Sequence, residues 1–153
     1  MLMPSVERSF YYDMLGAPHA DGGRSLRDGI DCLGVAWLVL KRIHGEECLE
    51  GIEDWKFGQL TADSAALLTW KMQNEDRWRI MSRGYICKTK RAIGDVVLQM
   101  IGPERNLPHV SVVVHCGPND PLILLTSDRK RGVRAVAERM IGPVHSVYRL
   151  IPK

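Results

Sequence analysis

The chain has 153 residues, 45% of them hydrophobic and 25% charged, the balance of a soluble globular protein with a single domain over residues 1–153. This excludes a disordered chain, a collagen-like repeat and a coiled coil, and the longest mainly apolar run, Cys32 to Leu40, is too short to cross a bilayer. Twenty-one basic against eighteen acidic residues leave a net charge of +3, which permits an anionic partner without demanding one.

Taken in chain order, the spacing first predicts a helix from Ser5 to Leu15. Ser5 is its cap, and Val6, Phe10 and Met14 fall on one face. Gly16 to Gly23 holds three glycines and a proline in eight residues and reads as a loop. Asp31 to about Ile43 predicts a buried helix, apolar nearly all round and stopped by Gly45. A second helix is expected from Thr61, its cap, to about Asn74. The pattern then turns to strands: Asp95–Ile101, the β-branched run His109–His115, Leu122–Thr126, Gly132–Val136 and Val144–Leu150, with turn chemistry at Gly117–Asp120. Helices followed by an antiparallel meander predict an α+β domain.

Four cysteines, Cys32, Cys48, Cys87 and Cys116, form no CxxC pair, so neither a zinc ribbon nor a redox pair is visible. Met1 to Arg8 contains no apolar stretch of the secretory kind. The expectation is a protein made in a reducing cytoplasm without a signal peptide, its thiols free. These patterns imply no cofactor and no metal ion.

One hexapeptide carries chemistry. Gly29-Ile-Asp-Cys-Leu-Gly34 sets a cysteine at the first turn of the buried helix, directly after the glycine-rich loop. Asp31 can cap that helix. Cys32 then meets the free N–H groups and the dipole of the helix, which favour a thiolate, and Gly34 leaves room beside the sulfur. A buried structural cysteine is the plain alternative, and the hexapeptide alone leaves the two readings level. A cysteine nucleophile needs an imidazole. His109 opens the best strand and His115 closes it. Six residues of strand span about 20 Å, so only one of them can meet Cys32. A solvated strand-end histidine is the alternative for His109.

Three stretches, in this order, resemble the NlpC-type cysteine peptidases, papain-like hydrolases of bacterial cell-wall peptides. Leu15-Gly-Ala-Pro-His-Ala-Asp-Gly-Gly23 is similar to the family's Leu-Gly-x-Pro-Tyr-x-x-Gly-Gly loop. Gly29 to Gly34 looks like its Gly-x-Asp-Cys-x-Gly motif. Gly94-Asp95-Val-Val with His109-Val-Ser-Val-Val-Val114 looks like its Gly-Asp and His-Val-Gly-Ile-Tyr strands. Leu33 after the cysteine and the ending Val144-His-Ser-Val-Tyr-Arg149 most resemble members from tailed phages and gene transfer agents. The likeness runs from about residue 5 to the C-terminus.

The resemblance implies a papain-like fold in which the nucleophile's helix packs on the antiparallel meander. It implies that Cys32 attacks a peptide carbonyl, that His109 is base and acid, and that a third polar group on the return strand orients His109. Counting back from Gly132-Val133 assigns that place to Thr126, with Asp128 as the alternate. His19 stands where the family has a tyrosine; it can donate to an oxyanion or substrate, or simply face water. Asp31 and Gly34 join it in the substrate-binding and oxyanion group. The implied activity is cleavage of amide bonds in peptidoglycan peptides by a phage or phage-like tail tip component. Its partners would be other tail or particle proteins and its location a virion or tail particle. A structural tail-tip protein with a weakly active or inactive hydrolase fold is the alternative. An acyltransferase or non-wall amidase uses the same pair. Cys32 is expected to alkylate well below pH 8 while Cys48 stays slow. Thr126→Ala is expected to lower turnover and spare folding.

Other features are assigned plain roles. Basic residues from Arg77 to Arg91 surround Trp78 and Tyr85 beside Glu75 and Asp76; a solvated face is expected and no nucleic-acid partner. Arg129-Lys-Arg131 with Arg134 can hold anionic wall polymer or a carboxylate, or form the rim of a protein contact. Trp55, Trp70 and Trp78 are expected in core or interface, one of them lining a groove at most. His115, Cys87 and Cys116 are read as structural.

Overall fold

The computed structural model describes residues 10–55, 62–83, 91–101, 107–116, 122–138 and 144–151. Two helices and an antiparallel sheet give a mixed α+β architecture. A short ribbon, β1 (Arg24–Ser25) and β2 (Gly29–Ile30), leads into α1 (Cys32–His44), and α2 (Ala62–Asn74) follows. The strands are β3 (Trp78–Arg83), β4 (Val96–Ile101), β5 (Leu107–His115), β6 (Ile123–Asp128), β7 (Gly132–Ala137) and β8 (Val144–Leu150). They form one six-stranded sheet in the order β3-β8-β4-β5-β6-β7, every neighbouring pair antiparallel.

β4 to β7 form the expected meander. The last strand departs from it: β8 returns to lie between β3 and β4. β3 is an element the sequence pattern hid, because its arginines read as a solvated face. Its alternation resolves this. Trp78 is buried and Ile80 packs on the core, while Arg79 between them is exposed.

The core explains why α1 lies where it does. Leu33, Val35, Ala36, Trp37, Val39 and Leu40 are all buried, and the helix packs on β5 and β6. The sheet face beneath it carries Val110, Val112, Val114, Leu125 and Val133, the alternate residues of each strand. A side chain buried this fully contributes about 1.5–3 kcal/mol. Val97, Val113, Leu124, Val144 and Val147 form a second cluster on the opposite face. Gly45 ends α1 with a φ of 100° and a bond from its N–H to the Lys41 carbonyl, as the expected stop requires.

The first predicted helix is corrected. Among its described residues the chain makes only a 3₁₀ turn, Tyr12–Met14; Ser5 and Val6 lie outside the described residues. Gly16 donates to the Val133 carbonyl and Val133 donates to that of Ala17, both at 2.9 Å, so the chain leaves its turn to run along β7. Gly132 makes this approach possible. Its φ is +67°, and a Cβ there would stand 2.2 Å from the Ala17 carbonyl oxygen. The cap Thr61 and the turn Gly117–Asp120 also lie outside the described residues. No helix among the described residues is long and apolar enough to cross a membrane.

Candidate active site

The site is built where β5 and β6 part. Their pairing toward His109 ends at Val112–Leu125, so the backbone of Val110 is free for side-chain partners. The Thr126 hydroxyl donates to the Val110 carbonyl at 2.8 Å. The Val110 amide is turned toward the thiol of Cys32 and favours its anionic form. Cys32 is the first residue of α1 and is 7% exposed. The same parting of the strands therefore brings together Cys32, Thr126 and the backbone next to His109.

Thr126 also lies 2.7 Å from His109 Nε2. Hydrogen bookkeeping fixes the tautomer. A hydroxyl carries one proton, and the Val110 carbonyl can only accept, so that proton is spent. Nε2 must then donate to Thr126 Oγ1. This leaves Nδ1 of the neutral imidazole with a bare lone pair, the form a base needs. Asp128, the alternate orienter, is engaged elsewhere: its Oδ1 accepts the amides of Lys130 and Arg131, and its Oδ2 accepts Arg134 Nε at 2.5 Å. Thr126 is wholly buried, so the expectation that its replacement spares folding is corrected. Thr126→Val is expected to cost about 1–3 kcal/mol, because the Val110 carbonyl loses its donor in a buried place. Denaturant unfolding of the two proteins checks this.

The electrostatics correct a second expectation. Burial pushes the Cys32 thiol up to about 12, and the Asp31 charge adds to it, against the amides of Val110, Leu33 and Cys32 itself. Burial likewise pushes the His109 imidazole down to about 4, with Arg134 acting in the same sense and Asp128 against it. At neutral pH the pair rests as thiol and imidazole, not as thiolate and imidazolium. Ready alkylation of Cys32 below pH 8 does not follow from this environment. Desolvation outweighs the first turn of one helix.

Asp31 is the N-cap of α1, accepting the Gly34 amide at 2.7 Å. It also takes Arg24 Nη1 at 2.7 Å and the Gly22 amide at 2.8 Å. Both its oxygens are thus occupied by protein donors, and it positions the helix and loop instead of meeting a substrate. Gly34 is corrected in the same way. A Cβ there would stand 2.6 Å from the Gly23 carbonyl oxygen and 3.2 Å from Arg24 Nη1. The space it leaves is filled by the loop, not kept for a ligand. Arg24, whose other Nη reaches the Trp55 carbonyl, is the residue the sequence did not point to; no local pattern joins it to Asp31.

His19 is not simply facing water. It bridges Ser127 Oγ at 2.8 Å and Asp21 Oδ1 at 3.1 Å. Ser127, beside Thr126 in the sequence, was missed as well. Its hydroxyl donates to the Ile30 carbonyl at 2.7 Å, two residues before Cys32. His115 lies at the other end of β5, paired with Ile123. Cys48 is buried, and Cys116 is half-buried with its thiol 3.6 Å from the Arg91 carbonyl. Cys87, Tyr85, Lys88 and Lys90 lie outside the described residues. Trp55 and Trp78 flank Trp37, with ring centroids 6.1 and 5.7 Å from its own. Trp70 is 61% exposed. Of the basic cluster, Arg129 pairs with Asp21 and Arg134 with Asp128. Among the described residues no group of three or more His, Cys, Asp or Glu side chains is placed to hold a metal ion. No family model matches the chain, and no curated protein matches it.

Proposed function

We propose that the chain is a papain-like cysteine hydrolase that cleaves amide bonds in peptidoglycan peptides, as a component of a phage or phage-like tail. The observation that carries this reading is the 2.7 Å contact of His109 Nε2 with Thr126 Oγ1, whose own proton goes to the Val110 carbonyl. Thr126 holds Nε2–H, and Nδ1 is left to accept a proton near a cysteine at a helix N-terminus. The wall peptide as substrate, the tail particle as location and other tail proteins as partners rest on the sequence resemblance alone.

The chemistry follows from the neutral pair. As the Cys32 sulfur bonds to the carbonyl carbon, its proton passes to His109 Nδ1. The imidazolium keeps its Nε2–H bond to Thr126. It then gives the Nδ1 proton to the departing amine nitrogen as the C–N bond breaks, leaving a thioester on Cys32. His109, neutral again, takes a proton from water as the water oxygen attacks the thioester, and returns it to the sulfur as the C–S bond breaks, so that the acid is released and Cys32 is again the thiol. Thr126→Val, which removes the acceptor for Nε2–H, is expected to slow turnover about tenfold by freeing the ring.

The test is digestion of purified peptidoglycan by the wild type and by Cys32→Ala, with the released peptides read by mass spectrometry. New peptide termini from the wild type alone support the reading and identify the bond. No products from either, with Cys32 unreactive to alkylating agents, support a structural tail-tip protein that retains the fold. The resting charge state favours that second reading, since a thiol held near 12 is a weak nucleophile until its proton is taken.

A further inference from the structure

We propose that Arg134 is a substrate-binding residue, whose unused guanidinium edge takes a carboxylate carried on the same peptide as the scissile amide. This rests on the hydrolase reading and gives its substrate a required charge. Arg134 stands directly across from Thr126 in the register of β6 and β7, so the two side chains share one face of the sheet. Thr126 Oγ1 in turn lies 2.7 Å from His109 Nε2. The guanidinium is therefore built into the strand pair that holds the proposed base.

A guanidinium carries five N–H donors in a planar fork. In Arg134 only Nε is engaged, by Asp128 Oδ2 at 2.5 Å. Asp128 is fixed in its own right, its Oδ1 accepting the amides of Lys130 and Arg131 at 3.0 and 2.8 Å. The turn thus pins one edge of the arginine, and its Nη1/Nη2 edge has no acceptor among the described residues. The side chain is 34% exposed. Other arginines are spent differently. Arg42 and Arg149 each grip a carboxylate with two nitrogens, that of Asp13 and that of Asp95. Arg24 is divided among Gly23, Asp31 and Trp55, and Arg129 closes on Asp21. The two parallel donors left on Arg134 match the two oxygens of a carboxylate. Arg129, Lys130, Arg131 and Arg134 stand here against Asp21 and Asp128, with Lys130 and Arg131 exposed. That excess of positive charge draws an anion to the turn. A bound carboxylate also offsets the charge of Arg134, which otherwise opposes the proton that His109 takes up.

The probes are soluble stem peptides cut from peptidoglycan, with their carboxyl groups either free or converted to carboxamides. Binding is measured by titration calorimetry on the full chain carrying Cys32→Ala, so that turnover is not needed. The acid form is expected to bind about tenfold more tightly than the carboxamide form. Adding Arg134→Gln is expected to abolish that difference. Glutamine keeps a donor for Asp128, so a merely structural role for Arg134 would leave the preference intact. Arg134→Lys keeps the charge and loses the fork; it is expected to retain only part of the preference, and it provides the measurement if the glutamine variant does not fold. Equal binding of the two forms, or a preference undiminished in the Arg134 variant, overturns the inference. A preference for the acid form in a chain whose wild type releases no wall peptides overturns only the hydrolase reading.

Discussion

Replacing Arg149 with alanine is expected to destabilise the fold by about 3–5 kcal/mol, the cost of stranding a buried charge. Arg149 on β8 makes a two-pronged pair with Asp95, Nε to Oδ1 at 2.7 Å and Nη2 to Oδ2 at 2.9 Å. Asp95 is 1% exposed and also accepts the Ala92 amide at 2.9 Å. Without the guanidinium, that carboxylate keeps one amide donor and no counter-charge. The reverse substitution, Asp95→Ala, is expected to cost less, about 2–3 kcal/mol, because the Arg149 side chain is 33% exposed and can recover water. The two losses share one interaction, so the double variant should be milder than the sum of the single ones. Urea unfolding of the four proteins tests this, and strict additivity would show that the pair contributes nothing of its own. The pair also supports the site. Gly94 and Asp95 exchange backbone bonds with Val113, fixing β4 against β5, the strand that carries His109.

The Gly94-Asp95 dipeptide shows how much of the fold was legible. Its place at a strand start could be read from the alternation after it, but not its partner, because Arg149 lies 54 residues on. Local pattern located α1 to within a residue at each end, since a glycine stop and a continuous apolar run are near in sequence. It failed at β3, where arginines masked the alternation of Trp78 and Ile80. It failed over Phe10–Leu15, the described end of the first predicted helix, where the chain makes a 3₁₀ turn and goes on to dock along β7. At the site, residue types were legible and their roles less so. Asp31 and Gly34 were marked by the motif as groups that serve a ligand. Both are instead consumed in holding Gly22, Gly23 and Arg24 against the helix. Thr126 was reached by counting along the return strand. That it bridges His109 to a strand carbonyl depends on β5 and β6 parting, and a tertiary event of this kind leaves no local mark.

The depressed imidazole of His109 predicts a loss of stability in acid. Its value falls from 6.5 to about 4 on folding, chiefly through burial. Between those limits the unfolded chain takes a proton that the folded chain refuses, so stability rises with pH across this window. The contribution is complete above pH 6.5, declines as pH falls, and is gone below about 4. Its full size is about 3 kcal/mol, given 1.36 kcal/mol per unit. Urea unfolding at a series of pH values should show this decline in the wild type. His109→Gln, which retains a donor for Thr126 and cannot titrate, should remove that part of it. A decline of equal size in both proteins would assign the effect to other groups. The same ionisation bears on turnover, because the proposed base must be neutral to accept the Cys32 proton. Amide cleavage should therefore persist at pH 5 and fall only as pH approaches about 4. An acid limb near the ordinary histidine value of about 6.5 would mean that burial does not depress His109, and a loss of activity on the alkaline side, as an imidazolium gives up its proton, would mean that Cys32 works from a thiolate–imidazolium pair instead.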